Sequence, residues 1–425
     1  MKQFTLLFLL SLSLLQLRAE TDSLFTGETL RIDYIHSGTA SDETFALEAL
    51  IREAVWAGPQ HNLTDTMHYG NHRVMMHDAD NGSLLFSRGY SSLFAEWQTT
   101  AEAGQLVKAF EETVVVPFPV KPVLVSLWSR MRDTTFSLKL RFRVDPDSYF
   151  IRPAVSNPWE VYEVQVSRPA DQAVDIVIIP DGFTAGEMEL FKKAADRFAD
   201  NLFGFEPFGR HRERFNIRAV LAPSAESGVA IPADRIWPNT VVSSSFYTFD
   251  SERYCMTHDH HRLRDLASAV PYDQIYILTN TKKYGGGGIY NFYCLSSTLN
   301  ESSPEIIVHE FGHGFAGLGD EYYDSSTSYE SFYRLDIEPW EPNITTLVNF
   351  DAKWKHLIDL NTPVPTPDEA AWDGITGVYE GGGYVPKGIY RPSRDCLMHT
   401  FKNDLFCQAC SEAIEKMIFF FTDGK

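Results

Sequence analysis

The stretch Ser303–Tyr323, SPEIIVHEFGHGFAGLGDEYY, limits what this chain can fold into more than any other. Ser303 is a good N-cap, Pro304 suits the first helical position and Glu305 complements the helix dipole. Ile306, Ile307 and Phe311 supply an apolar face that anchors a helix in a core. The pattern predicts a helix over Pro304–Phe315, with Gly314, Gly317 and Gly319 allowing it to end and turn sharply. His309 and His313 stand four apart, so a helix puts both on one face, one turn above the other. Two imidazoles placed in this way can share a zinc ion, with Glu310 beside a water on that metal. A catalytic zinc needs three protein ligands and an open position. The carboxylates just beyond the turn, Asp320 and Glu321, are the candidates for the third. The reading is a zinc peptidase site, with Glu310 as the catalytic base.

The rest of the chain bounds that reading. At 425 residues it is too long for one ordinary domain. A formal charge of −20 argues against nucleic acid as a partner, because phosphate binding needs clustered Lys and Arg. Residues 1–19 have the form of a secretory signal: Lys2, an apolar run from Phe4 to Leu17, then Ala19. That predicts a protein that is secreted, periplasmic or at the cell surface. No later segment is long and apolar enough for a transmembrane span. The cysteines Cys255, Cys294, Cys396, Cys407 and Cys410 all lie in the second half. Cys407-Gln-Ala-Cys410 has the spacing of a zinc knuckle or a redox pair, but with no second such pair, disulfides are expected in an exported chain.

Residues 20–150 read as a β domain. Leu30–Ile35 and Phe136–Val144 alternate apolar and polar residues, the period of a strand with one buried face. Asp80-Asn81-Gly82 signals a hairpin turn, and Thr113–Pro119 and Val123–Trp128 read as further strands. Short strands with no interleaved helices predict an antiparallel β-sandwich. His61, His68, His72 and His77 fall here with no metal-ligand spacing and read as solvated loop residues. The Pro- and Asp-rich segment 145–158 marks a domain boundary, and Trp159–Val166 reads as a strand leading out of it. Beyond it, strands alternate with helices. Val174–Ile179 is a buried strand, Thr184–Glu187 a capping box and the helix after it runs to about Leu202. Phe215–Leu221 and Gln274–Leu278 read as strands, Cys255–Ala269 as a helix, and Ser411–Phe421 as a closing helix. This alternation predicts a mixed or mostly parallel sheet flanked by helices over 165–425. The four glycines of Gly285–Gly288 read as a flexible turn. Ile289–Ser297 then reads as a strand, at an edge where a peptide could add as a further strand.

The stretch HEFGHGFAGLGDEY resembles the metzincins and, more closely, the bacterial IgA-peptidase family of zinc peptidases. Ile178–Phe183 (IIPDGF), Gly285–Asn291 (GGGGIYN), and Cys396-Leu397-Met398 with the later FCxxC match that family too. The resemblance covers roughly residues 165–420, and less specifically a β-sandwich domain ahead of it. It implies a metzincin-like zinc peptidase domain with a mixed sheet and an active-site helix, an α+β multidomain architecture overall. The metzincin pattern puts a His or Asp six residues after the second His. That place is Gly319 here, with Asp320 one residue further, and Asp320 is preferred over Glu321 as third ligand. The resemblance also implies a methionine in a tight turn beneath the zinc, here Met398. The expected activity is zinc-dependent endopeptidase hydrolysis of proteins, with host glycoproteins or immunoglobulins as candidate substrates. The rival expectation is a glycoprotein-binding protein whose metal is structural.

Overall fold

The computed structural model describes residues 24–323 and 333–423. The expected signal segment, 1–19, lies outside them, as does 324–332 of the expected cleft wall. The chain is a mixed α+β structure of several sheets and few helices.

Eight strands occupy the first part: β1 (Phe25–Gly38), β2 (Glu43–Glu53), β3 (His72–Asp78), β4 (Leu84–Tyr90), β5 (Lys108–Pro119), β6 (Val123–Arg130), β7 (Phe136–Val144) and β8 (Ile151–Pro153). They form two four-stranded sheets, ordered β5-β1-β2-β8 and β4-β3-β6-β7. Ile32, Tyr34, Val114 and Val116 of the first sheet share one core with Val74, Met76, Val125 and Leu127 of the second. The two-residue period points these side chains inward. The Asp80–Gly82 turn joins β3 to β4, with Gly82 at φ +75°.

Helix α1 (Leu93–Trp97) interrupts this run of strands. Ser92 caps it by accepting from the Ala95 amide at 3.2 Å. Its five residues are too few to show a helical period in the sequence. His72, expected in a solvated loop, lies inside β3 and is buried. Its ring nitrogens sit 3.1 Å from Ser129 Oγ and 3.0 Å from Ser92 Oγ, which satisfies them without solvent.

The second part holds α2 (Met188–Gly204), α3 (His260–Ala267), α4 (Ser303–Ala316) and α5 (Gln408–Thr422). Its strands are β9 (Val161–Gln165), β10 (Val174–Asp181), β11 (Phe215–Val220), β12 (Gln274–Thr279), β13 (Gly286–Gly288) and β14 (Tyr293–Ser297). They make one six-stranded sheet, ordered β13-β14-β12-β10-β11-β9. The four inner strands are parallel and the two edges antiparallel. Every residue of β10 is buried because helices cover both faces. Ile176 and Ile178 pack with Phe191 and Phe198 of α2 and Phe311 and Phe315 of α4. Val177 and Ile179 pack with Leu263 and Leu266 of α3 and with Leu93, Phe94 and Trp97 of α1.

Packing therefore crosses the sequence boundary at 145–158. The outer face of β1, expected to be solvated, is covered by α3. Arg31 and Asp33 are both buried there, with Arg31 Nε 2.7 Å from Asp33 and its Nη1 2.6 Å from Asp265. A polar face at such a junction has the same alternating pattern as a solvated one.

Other elements differ at their ends. The helix expected from Cys255 begins at His260, because Tyr254 and Met256 make bridges to Gly286 and Ser245. The strand expected over Ile289–Ser297 begins at Tyr293, and the glycine run itself forms edge strand β13. A Cβ at Gly288 would lie 2.5 Å from the Glu310 carbonyl oxygen, and one at Gly287 2.2 Å from Met256 Sδ. Only glycine lets this edge pass so close to α4. Helix α5 starts before Ser411 because Cys407 Sγ caps it. A last hairpin, β15 (Tyr379–Gly382) and β16 (Val385–Arg391), packs on the segment after α4, its turn donating the Gly383 and Tyr384 amides to the Asp320 and Tyr322 carbonyls, both at 2.9 Å. None of the five cysteines is bonded to another, in contrast to the disulfides expected. No helix among the described residues is long and apolar enough to cross a membrane.

Candidate active site

Helix α4 starts one residue earlier than expected, at Ser303 rather than Pro304, with Ser302 and not Ser303 at the N-cap and Pro304 in the first turn. Ser303 Oγ donates to the carbonyls of Ser297 (2.8 Å) and Asn300 (2.7 Å), tying the helix to the end of β14. The helix runs to Ala316 and stops at Gly317, which takes φ +65° and donates its amide to the His313 carbonyl at 3.0 Å. The apolar face is buried against β10 and β12. The opposite face carries His309, Glu310 and His313 into a cleft of about 510 Å³.

Backbone carbonyls aim both imidazoles. His309 Nδ1 lies 3.0 Å from the Leu397 carbonyl oxygen and His313 Nδ1 2.6 Å from that of Leu318. A carbonyl only accepts, so each Nδ1 carries a proton and each Nε2 is turned to the cleft. The two Nε2 atoms face each other at 3.1 Å. Asp320 Oδ1 sits 3.2 Å from both and has no hydrogen-bond donor. Burial alone would raise the Asp320 carboxyl, yet His313 and His309 beside it hold it well below the usual range. Burial likewise opposes charge on His313, but Asp320 pushes its imidazole up to about 9. The arrangement attracts positive charge to the point between the three atoms. Glu310 borders the same space, and burial raises its carboxyl against the pull of His309 and His313.

Asp320 and Glu321 point in opposite directions. The Asp320 carboxylate also accepts from the Tyr384 hydroxyl, and its carbonyl accepts from the Gly383 amide at 2.9 Å. Glu321 is fully buried and turns toward Cys410 and Asn343. Asn343 clamps the turn, accepting from the Gly319 amide at 2.7 Å and donating to the Gly319 carbonyl at 2.8 Å. Met398 is buried under α4, its Sδ 3.1 Å from where a Cβ on Gly312 would stand. Its carbonyl accepts from the Glu321 amide at 2.8 Å, so this turn supports His309 and the Asp320 loop together.

Sequence reasoning missed three residues here. Glu96 reaches the cleft from α1, accepts from the Tyr254 hydroxyl, and is raised by burial to about 7. Ser92 followed by an apolar run and an acid was the signal for α1. Tyr384 and Asn343 hold the Asp320 loop, but a lone Asn or Tyr in a loop carries no signal. The cleft draws lining from both parts of the chain, including Asn71, Ser91 and Glu96 from the first.

The sequence model of the family described as IgA Peptidase M64 matches residues 162–372 and 368–418. That described as Peptidase M64 N-terminus matches residues 20–141. No curated protein matches the chain. Matched from its first strands to its closing helix, this chain belongs to the M64 IgA-peptidase family and is a peptidase.

Proposed function

We propose that the chain is a zinc-dependent endopeptidase, exported by a signal at residues 1–19, with a β-sandwich domain over 20–150 and a metzincin-like catalytic domain over 165–425. The observation that carries the reading is the convergence of His309 Nε2, His313 Nε2 and Asp320 Oδ1 within 3.2 Å, beside Glu310 in an open cleft. With both Nδ1 protons given to carbonyls, the two Nε2 atoms and Asp320 Oδ1 converge on one point, where a proton on His313 or a metal cation balances the Asp320 charge. Three such atoms that close repel one another unless a proton or a cation lies among them. Nitrogen and carboxylate donors on one open face suit zinc.

His309, His313 and Asp320 would hold that ion, and Leu397, Leu318 and Tyr384 would orient them. Zinc bound there supplies Lewis-acid chemistry, acidifying water and polarising a carbonyl oxygen. Glu310 takes the proton from the attacking water and passes it to the leaving amine. The antiparallel edge β13 lies against α4 and lines the cleft; Gly286 is already bridged on its outer side to Tyr254, so an extended peptide would add as a strand at the Gly288 end. Asp320 stands seven residues after His313, one more than the metzincin pattern. The turn after Ala316, through Gly317 to Gly319, accommodates the extra residue. Met398 would be the methionine beneath the metal. The family description names IgA, which supports immunoglobulin as a candidate substrate, with host glycoproteins as the wider class proposed.

A binding protein with a structural metal would bury four donors and leave no open position; three donors at a cleft argue against it. The test is digestion of a proteome-derived peptide library by the full chain, with and without chelator. Cleavage within peptides, lost on chelation and restored by zinc, is expected. Chelator-resistant cleavage would overturn the reading.

A further inference from the structure

Behind the cleft, on the far side of the Asp320 loop, a second set of donors converges: Glu321, Cys396, Cys407 and Cys410. One donor atom from each lies within 4.8 Å of all the others. Cys396 Sγ is 3.8 Å from Cys410 Sγ, and Cys410 Sγ is 3.1 Å from Glu321 Oε1. A tetrahedral metal with bonds of about 2.3 Å to sulfur holds its sulfurs about 3.8 Å apart, whereas a disulfide brings them to about 2.05 Å. Glu321 is fully buried and its Oε2 has no hydrogen-bond partner. An orphaned carboxylate oxygen in a dry core is costly unless something outside the protein satisfies it.

The surroundings suit thiolates. Cys407 is the N-cap of α5, where the helix dipole favours negative charge. The Cys407 amide points to Cys396 Sγ at 3.3 Å and the Cys410 amide to Cys407 Sγ at 3.5 Å. Arg391, buried on the neighbouring hairpin, lies near Glu321 and adds positive charge.

We propose that Cys396, Cys407, Cys410 and Glu321 form a second, structural metal site that takes a thiophilic divalent cation, zinc by its donor set. With four protein donors and no opening to the cleft, it has no position for substrate. It clips together three segments: the loop carrying Asp320, the turn carrying Met398, and the start of α5. Glu321 is the residue after Asp320, and Cys396 precedes Leu397, whose carbonyl orients His309. The clip is a positioning device for the first donor set, and it stands whether or not the cleft performs catalysis.

The test measures metal content of the full chain carrying His309→Ala and His313→Ala, dialysed against zinc-free buffer. One equivalent of zinc should remain. After exchange to cobalt, that variant should show a sulfur-to-cobalt charge-transfer band in the near ultraviolet. Adding Cys407→Ser and Cys410→Ser should remove both. Should the four-fold variant fail to fold, the cobalt spectrum of the double histidine variant decides alone, because its cysteines are intact. Absence of metal in that variant, a cobalt spectrum with no sulfur band, or a disulfide among Cys396, Cys407 and Cys410 in the non-reduced peptide map would each overturn the proposal.

Discussion

Asp320 and Glu321 are adjacent carboxylates with opposite surroundings. Asp320 faces two imidazoles across an open cleft; Glu321 faces three thiols behind it, Cys396 and Cys410 buried and Cys407 partly so. Alternation along an extended segment sends successive side chains to opposite sides, so one loop serves both. Donor chemistry and access divide the work between the two carboxylates. Nitrogen and oxygen donors with an open face suit chemistry on a substrate, whereas sulfur donors set away from the cleft suit cross-linking.

Asp320→Ala should break the comparison on one side only. Cleavage should fall by more than about 10²-fold, since the loss of even an outer partner of a metal ligand costs about 10–100-fold. The melting temperature and the metal at the cysteines should persist. Equal loss of both metals would show the two sets to be one unit. Next in size is acid lability in the first part of the chain, which carries neither set. Burial, and then His36 nearby, depresses the His72 imidazole from 6.5 to about 3. The unfolded chain therefore binds a proton that the folded one refuses. Stability from this group is complete above about pH 6.5 and falls as pH drops toward 3, by on the order of 4–5 kcal/mol at the limit. Denaturant unfolding from pH 7 to 4 should show the loss, and His72→Gln should flatten it.

Asn343→Ala should affect both sides, because Asn343 holds Gly319 and also donates to Glu321 at 2.9 Å. Its removal strands buried groups at about 1–3 kcal/mol each. Thermal melting and zinc titration should both move, and movement of only one would separate the sets. Gly288→Ala is the smallest of these changes. Its Cβ would press on the Glu310 carbonyl and push β13 away from α4. Peptide KM should rise with metal content unchanged at both sets.

Much of this was legible where the residues carry a period. β7 has the predicted bounds, and β10 holds the run Val174–Ile179 that announced it. The His309–His313 face needed only helical spacing. β13 was not legible, because glycines carry no hydrophobic period and their reason for being glycine is a contact with α4. The orientation of Asp320 against Glu321 was not legible either, since two neighbouring carboxylates differ only in what the fold puts around them. The pair Cys407 and Cys410 showed in the sequence, but its partners Cys396 and Glu321 come from other segments that meet only in the folded core.

In the proposed reaction Glu310 moves the proton in peptide hydrolysis beside a metal it does not hold. The direct measurement pairs cleavage of a peptide library with zinc content in the same samples of wild type and Glu310→Gln. Zinc should be unchanged and cleavage reduced by roughly 10²–10⁴-fold or more. Full cleavage by Glu310→Gln with its zinc in place would contradict it.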